Sequence, residues 1–140
     1  MSGKPCPFCA IVEGRAEASV IRRGQHVTAF LDARPVFKGH VLIVTNVHID
    51  DFAALPPTLA EPLLSEGQKI VRALEKALGA QGAFVAINHR VSQSVPHLHL
   101  HVVPRSKGDG LRGFFWPRQP YADDAERDQC AARIAAALEP

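Results

Sequence analysis

Three histidines stand two residues apart in the run His97-Leu98-His99-Leu100-His101-Val102-Val103. A period of two is the side-chain period of a β-strand, so an extended segment here would put the three imidazoles on one face and Leu98, Leu100 and Val102 on the other. The apolar face can enter a core. The imidazole face points to chemistry, to metal binding, or to both, because a neutral imidazole titrates near the working pH and serves equally as nucleophile, proton carrier and metal ligand. By contrast, the isolated His26 and His89 read as ordinary core or surface residues.

Strand geometry also separates the three. His97 and His101 would lie about 13 Å apart at roughly 3.3 Å per residue, whereas zinc holds each nitrogen at about 2.0–2.1 Å. One ion cannot take all three without a severe bend, so the triad is expected to divide its roles. Cys6 and Cys9, in Cys6-Pro7-Phe8-Cys9, have the spacing of zinc ligands. A tetrahedral site formed from Cys6, Cys9, His48 and His97 would tie the start of the chain to the sheet. The same C-x-x-C also fits a redox dithiol or two metal-free thiols, and spacing alone leaves these readings open. His99 and His101 remain for phosphorus. An imidazole that attacks phosphorus forms a phosphoramidate and splits one hard displacement into two easier ones. Gln93 and Ser94 could donate to the phosphoryl oxygens on which charge builds.

The elements that must position these residues can be read next. The chain has 140 residues, 46% apolar and 21% charged, with a formal charge of +2. That suits one globular domain with a modest core, and the mild positive balance suits a phosphorylated ligand rather than obligatory nucleic acid. No apolar run reaches the roughly 20 residues of a membrane span. The first residues lack a signal peptide's apolar stretch, and the odd cysteine count argues against a disulfide framework, so a cytoplasmic protein is expected. Short strands are predicted at Val20 to Arg23 and His26 to Leu31, and a strand buried on both faces at Gly39 to Thr45. The pair Pro56-Pro57 announces a helix from about Thr58 to Leu78, stopped by Gly79. Ala83 to Asn88 and the histidine run read as an antiparallel pair. A Gly- and aromatic-rich loop follows over residues 106–121, then a helix over about 124–138 with Asp123 as N-cap, Glu126 in a capping box and Cys130 buried. The expected plan is one α+β domain over residues 1–140, an antiparallel sheet with one long helix and a shorter C-terminal helix.

On these residues the chain resembles the histidine triad (HIT) superfamily, whose signature alternates histidine and apolar residues as His97 to Val103 do, with Gln93-Ser94-Val95 as a phosphate-contacting lead-in. Cys6 to Val12 resembles the zinc half-site of the zinc-bearing bacterial branch. Ala29-Phe30-Leu31-Asp32, Pro35 and Gly39-His40-Val41-Leu42 resemble its nucleotide-binding strand pair. The resemblance implies that His99 is the nucleophile that takes a nucleoside monophosphate. It implies that His101 contacts the phosphate and helps the leaving group, that His97 and His48 complete a structural zinc site with Cys6 and Cys9, and that Asp32 accepts from the ribose hydroxyls. Asn88, Gln93 and Ser94 would line the phosphate site, and His40 would support the triad from the next strand. A homodimer is implied as well. The segment His89-Arg90-Val91-Ser92 departs from the family in lacking glycine. Phe114, Phe115 and Trp116 lie outside the signature and read either as packing or a dimer contact, or as a lid, with Lys107, Arg112 or Arg118 meeting phosphates.

Three functions follow as expectations. The first is a nucleotide hydrolase or nucleotidyl transferase cleaving at the α-phosphate of a nucleoside phosphoramidate, dinucleoside polyphosphate or similar compound through a covalent His99 intermediate. The second is a nucleotide-binding or interaction module without turnover. The third is a zinc-dependent hydrolase.

Overall fold

A computed structural model describes residues 5–111 and 118–140. The chain divides into two compact units, Met1–Asp109 and Gly110–Pro140. The expected roles of Arg112 and of Phe114, Phe115 and Trp116 lie outside the described residues.

The first unit is α+β, as expected. It begins with a short helix, α1 (Pro7–Val12), followed by β1 (Val20–Arg23), β2 (Val27–Leu31) and β3 (Val41–Thr45). A single 3-10 turn, Phe52–Ala54, leads to the long helix α2 (Pro57–Leu78), then β4 (Gly82–Ala86) and β5 (His99–Arg105). The five strands form one sheet in the order β1-β2-β3-β5-β4, with every neighbouring pair antiparallel. β3 is buried along its whole length, as its unbroken β-branched and apolar run predicts.

Pleating gives the sheet two apolar faces. Val27, Ala29, Val41, Ile43, Leu98, Leu100 and Val102 form the core with Leu63, Ile70 and Leu74 of α2. Phe30, Leu42 and Val44 form a second cluster with Phe8 of α1. Pro57 opens α2 where a missing N–H costs nothing, and Gly79 ends it in the left-handed region at φ +69°. Two close approaches seat α2. Any Cβ on Gly67 would meet Leu100 Cδ2 at 3.0 Å, and one on Gly39 would meet Leu78 Cδ1 at 2.5 Å. Glu66, buried on α2, is held by a two-pronged ion pair from Arg22 at the β1 edge.

The histidine run departs from one regular strand. β5 starts at His99, and His97 lies in the bent segment before it. The Leu98 N–H pairs with the Ile49 carbonyl rather than with β3, and the His97 ring is fully buried. His97 is withdrawn from the ladder because its imidazole is engaged below the strand end. Only His99 and His101 therefore share a regular strand face.

The second unit contains α3 (Asp124–Ala137), close to the expected 124–138. Asp123 caps it by accepting from the Glu126 N–H at 2.8 Å, while Glu126 reaches back to the Ala122 N–H, one residue before the cap. Cys130 is half-buried, not buried as expected, because no residue of α3 is fully covered. No described helix is long and apolar enough to cross a membrane.

Candidate functional site

Register places the chemistry. His101 lies opposite Leu42 of β3, which lies opposite Phe30 of β2; His99 lies opposite Val44, which lies opposite Thr28. The two imidazoles therefore continue rows that carry the second apolar cluster. They open into a cleft of about 1260 Å³ whose lining includes His99, His101, Ser94, Asp32, Phe8 and Ile11. Arg15, Arg23 and Arg34 also line it, a charge pattern that suits an anion.

Each ring's tautomer follows from its partner. His99 Nδ1 lies 2.8 Å from the His97 carbonyl. A carbonyl only accepts, so Nδ1 carries the proton and Nε2 keeps its lone pair. The Val36 N–H donates to His40 Nδ1 at 3.1 Å. Since Nδ1 accepts, His40 Nε2 carries its proton and donates to His101 Nδ1 at 3.0 Å. His101 then carries its proton on Nε2, which is buried and has no partner among the described residues. A buried donor left unpaired costs about 1–3 kcal/mol, so His101 is poised for an acceptor from outside the chain. Burial, reinforced by His99 and His40, pushes His101 down to about 4. Burial also lowers His40, against the pull of Asp32. Both rings are neutral near pH 7. Asp32 accepts the Arg34 N–H at 2.8 Å and stands 3.7 Å from His40. Asp32, His40 and His101 cluster closely enough to be asked about a metal. The two imidazole nitrogens that face each other are already joined by a hydrogen bond, so the chain that sets the His101 ring runs from the Val36 N–H through His40, with Asp32 beside it.

On the other side of α1 a second cluster forms. One ligand atom from each of Cys6, Cys9, His48 and His97 lies within 4.8 Å of all the others. His97 Nδ1 is 3.3 Å from Cys6 Sγ and 3.5 Å from Cys9 Sγ, and His48 Nδ1 is 3.3 Å from Cys9 Sγ. The opposite nitrogens are committed. His97 Nε2 donates to the Thr45 carbonyl at 2.8 Å, and His48 Nε2 lies 2.8 Å from Asp50 Oδ1. Both rings thus turn a free Nδ1 lone pair towards two sulfurs, with their orientation fixed from outside as is usual for metal ligands. Burial and the neighbouring Cys6 raise the Cys9 thiol to about 11; a cation held by these sulfurs would favour the thiolates instead. This Cys2His2 donor set fits zinc.

The remaining expected residues divide. Ser94 lines the cleft, but Gln93 and Asn88 are not among the described residues that do. Gln93 donates from Nε2 to the Asp50 carbonyl at 2.7 Å and accepts the Arg90 N–H at 2.9 Å, and Asn88 donates to the Ser92 carbonyl. These side chains staple the turn before the triad, in which Arg90 and Ser92 take positive φ angles of 65° and 62°. The staple replaces the glycines that such a turn would otherwise call for. His40 is buried behind His101 and does not line the cleft. Sequence reasoning missed Phe8 and Ile11 as cleft wall, the Val36 N–H and the Thr45 carbonyl. Backbone groups leave no trace in residue identity.

Residues 13–108 match the model of the HIT domain. The chain is 37% identical over 121 residues to an uncharacterized HIT-like protein of Mycobacterium tuberculosis, covering 83% of this chain and 84% of that one. A zinc-bound histidine triad family protein from Mycobacterium smegmatis superposes with a TM-score of 0.73 at 36% identity, over 95% of this chain and 97% of that one. An adenylylsulfatase of Arabidopsis thaliana is 28% identical over 108 residues, 76% of this chain and 55% of its own length. The chain belongs to the histidine triad family.

Proposed function

We propose that this protein is a nucleotidyl hydrolase or transferase that cleaves at the α-phosphate of a nucleoside phosphoramidate, dinucleoside polyphosphate or similar phosphoanhydride. The observation that carries the reading is the bond from His99 Nδ1 to the His97 carbonyl, which leaves the Nε2 lone pair available on a ring that lines the cleft. In the proposed reaction His99 Nε2 attacks the α-phosphorus. The bond from phosphorus to the leaving atom breaks with its electron pair on that atom, which takes up a proton from solvent. Water then attacks the His99–nucleotidyl phosphorus and loses a proton to solvent, and His99 departs as neutral imidazole. His101, set as an Nε2–H donor through His40, meets the phosphoryl oxygen on which charge develops. The Ser94 hydroxyl adds a second donor and Asp32 accepts from the sugar. That one relative is named an adenylylsulfatase supports a hydrolytic reading of this site.

Zinc belongs to the proposal as a structural ion held by Cys6, Cys9, His48 and His97. Four protein donors close its shell, which favours a structural over a hydrolytic role. The ion would supply charge neutralisation for the two thiolates and keep the His97 carbonyl in place. A homodimer is also proposed, supported by the outer edge of β4, which no described strand pairs, and by exposed Val85 and Leu64. Cysteines that ligate zinc rather than pair in disulfides suit a cytoplasmic setting.

The direct test is intact-protein mass spectrometry after brief mixing with excess adenosine phosphoramidate and an alkaline quench. The native protein should gain one adenylyl mass. His99→Ala should gain none, lose turnover by at least about 10³-fold, and still bind adenosine monophosphate. Near-normal turnover by His99→Ala would end the proposal, and nucleotide binding without any turnover by the native protein would favour a binding module.

A further inference from the structure

Helix α1 separates the two clusters and touches both. It is one and a half turns long, too short to hold its shape alone. At 3.6 residues per turn, Cys6 and Cys9 fall on one side and Phe8 and Ile11 on nearly the opposite side. The cysteines meet His48 and His97. Phe8 and Ile11 line the cleft. Phe8 is the buried residue of α1, and its ring stands edge-on to three others: Phe30 at 5.5 Å, His97 at 6.0 Å and His99 at 5.0 Å between centroids. Outside these contacts, the described polar tie between α1 and the sheet is the Arg23 guanidinium, which donates to the Ile11 carbonyl at 2.9 Å.

We infer that the Cys6/Cys9/His48/His97 cluster is the clamp that holds α1 as a wall of the cleft, so that metal occupancy and nucleotide binding are thermodynamically linked through Phe8. The inference rests on the zinc and nucleotide readings above and deepens both. Metal at the cysteines orders α1, and ordered α1 presents Phe8 and Ile11 to the ligand. Linkage is reciprocal, so a ligand that packs on this wall must slow loss of the metal on its far side. Phe8 is a positioning residue in this scheme, since it bears on the His99 ring from the same helix that the metal holds.

The experiment uses the holoprotein and adenosine monophosphate as probe. Zinc per chain is measured first and nucleotide binding second. Protein that holds no zinc after reconstitution, or that binds no adenosine monophosphate, overturns the corresponding reading and the inference with it. With both established, zinc transfer to an excess of a colorimetric chelator is timed with and without saturating nucleotide. The expected result is slowing by about fivefold or more. In the chelated protein the amides of residues 8–12 should exchange with deuterium faster while those of β3 stay protected. Phe8→Ala should keep one zinc per chain, bind nucleotide more weakly and lose the slowing even at saturation. If Phe8→Ala fails to fold, Phe8→Leu takes its place. Asp32→Asn, outside α1, weakens nucleotide binding without touching Phe8 and should retain the slowing once saturated. Equal zinc-loss rates with and without bound nucleotide, or full slowing in the Phe8 variant, would overturn the inference.

Discussion

At the scale of single residues, the candidate site is a set of tautomers. His99 and His101 have the same side chain on the same strand face, yet the first presents a lone pair and the second an N–H. The difference lies in which nitrogen each neighbour occupies: a carbonyl at His99 Nδ1, and an N–H, relayed through His40 from Val36, at His101 Nδ1. Replacing His40 with Phe removes the donor and leaves the His101 tautomer unspecified. The expected outcome is a fall in kcat of about 10-fold or more with little change in nucleotide affinity, together with nitrogen chemical shifts of His101 that report mixed tautomers. Burial also makes His101 a determinant of acid stability. Its folded value of about 4 lies below the ordinary 6.5, so between those values the unfolded chain binds more protons and stability falls as pH falls. His40 acts in the same direction. Chemical denaturation from pH 7 to 4 should show this loss, and His101→Gln should flatten it. An unchanged slope in that variant would assign the loss to other groups, such as Glu66, which Arg22 holds below the usual carboxylate range.

At the scale of elements, two contacts between α2 and the rest of the first unit are open to test. Gly39 sits at φ +97° with Leu78 Cδ1 where its Cβ would go. Gly39→Ala therefore combines backbone strain with a steric clash, and should cost about 1–3 kcal/mol in urea denaturation. Because Gly39 precedes His40, some activity should go with it. At the other end of the sheet, Arg22→Ala leaves Glu66 buried without its partner. A loss of stability in urea denaturation is expected, smaller than for a fully buried pair because the arginine is half exposed. Glu66→Gln in the same background should recover part of it. These elements were readable to different degrees. The unbroken apolar run of β3 and the 3.6-residue stripe of α2, ended by Gly79, were plain in the sequence because burial selects such patterns directly. The start of β5 was not. Alternation at His97 looks the same as at His99, and only the partners of the imidazole ring show that one is withdrawn from the ladder.

At the scale of the whole molecule, the proposed metal should behave as part of the fold. Chelation of the reconstituted protein should lower Tm by at least about 5 °C, since 1 kcal/mol alone moves a chain of this size by several degrees; an unchanged Tm would sink the structural role. Sedimentation equilibrium at micromolar concentration should give twice the chain mass, and Val85→Lys on β4 should reduce it. The α+β plan and the family were legible in the residues alone, as were the side chains gathered at the candidate site: the Cys6/Cys9 pair, His48, the three alternating histidines and Asp32. These are legible because chemistry demands residue types at short spacings, and spacing along the chain is what a sequence records. Tertiary structure decided the rest. Gln93 and Asn88 went to stapling a turn, Phe8 went between the two clusters, and carbonyls of Thr45 and His97 set the tautomers, leaving His97 Nδ1 towards the cysteines and His99 Nε2 with its lone pair. Those choices depend on backbone groups brought together from distant parts of the chain, and every residue carries the same backbone groups.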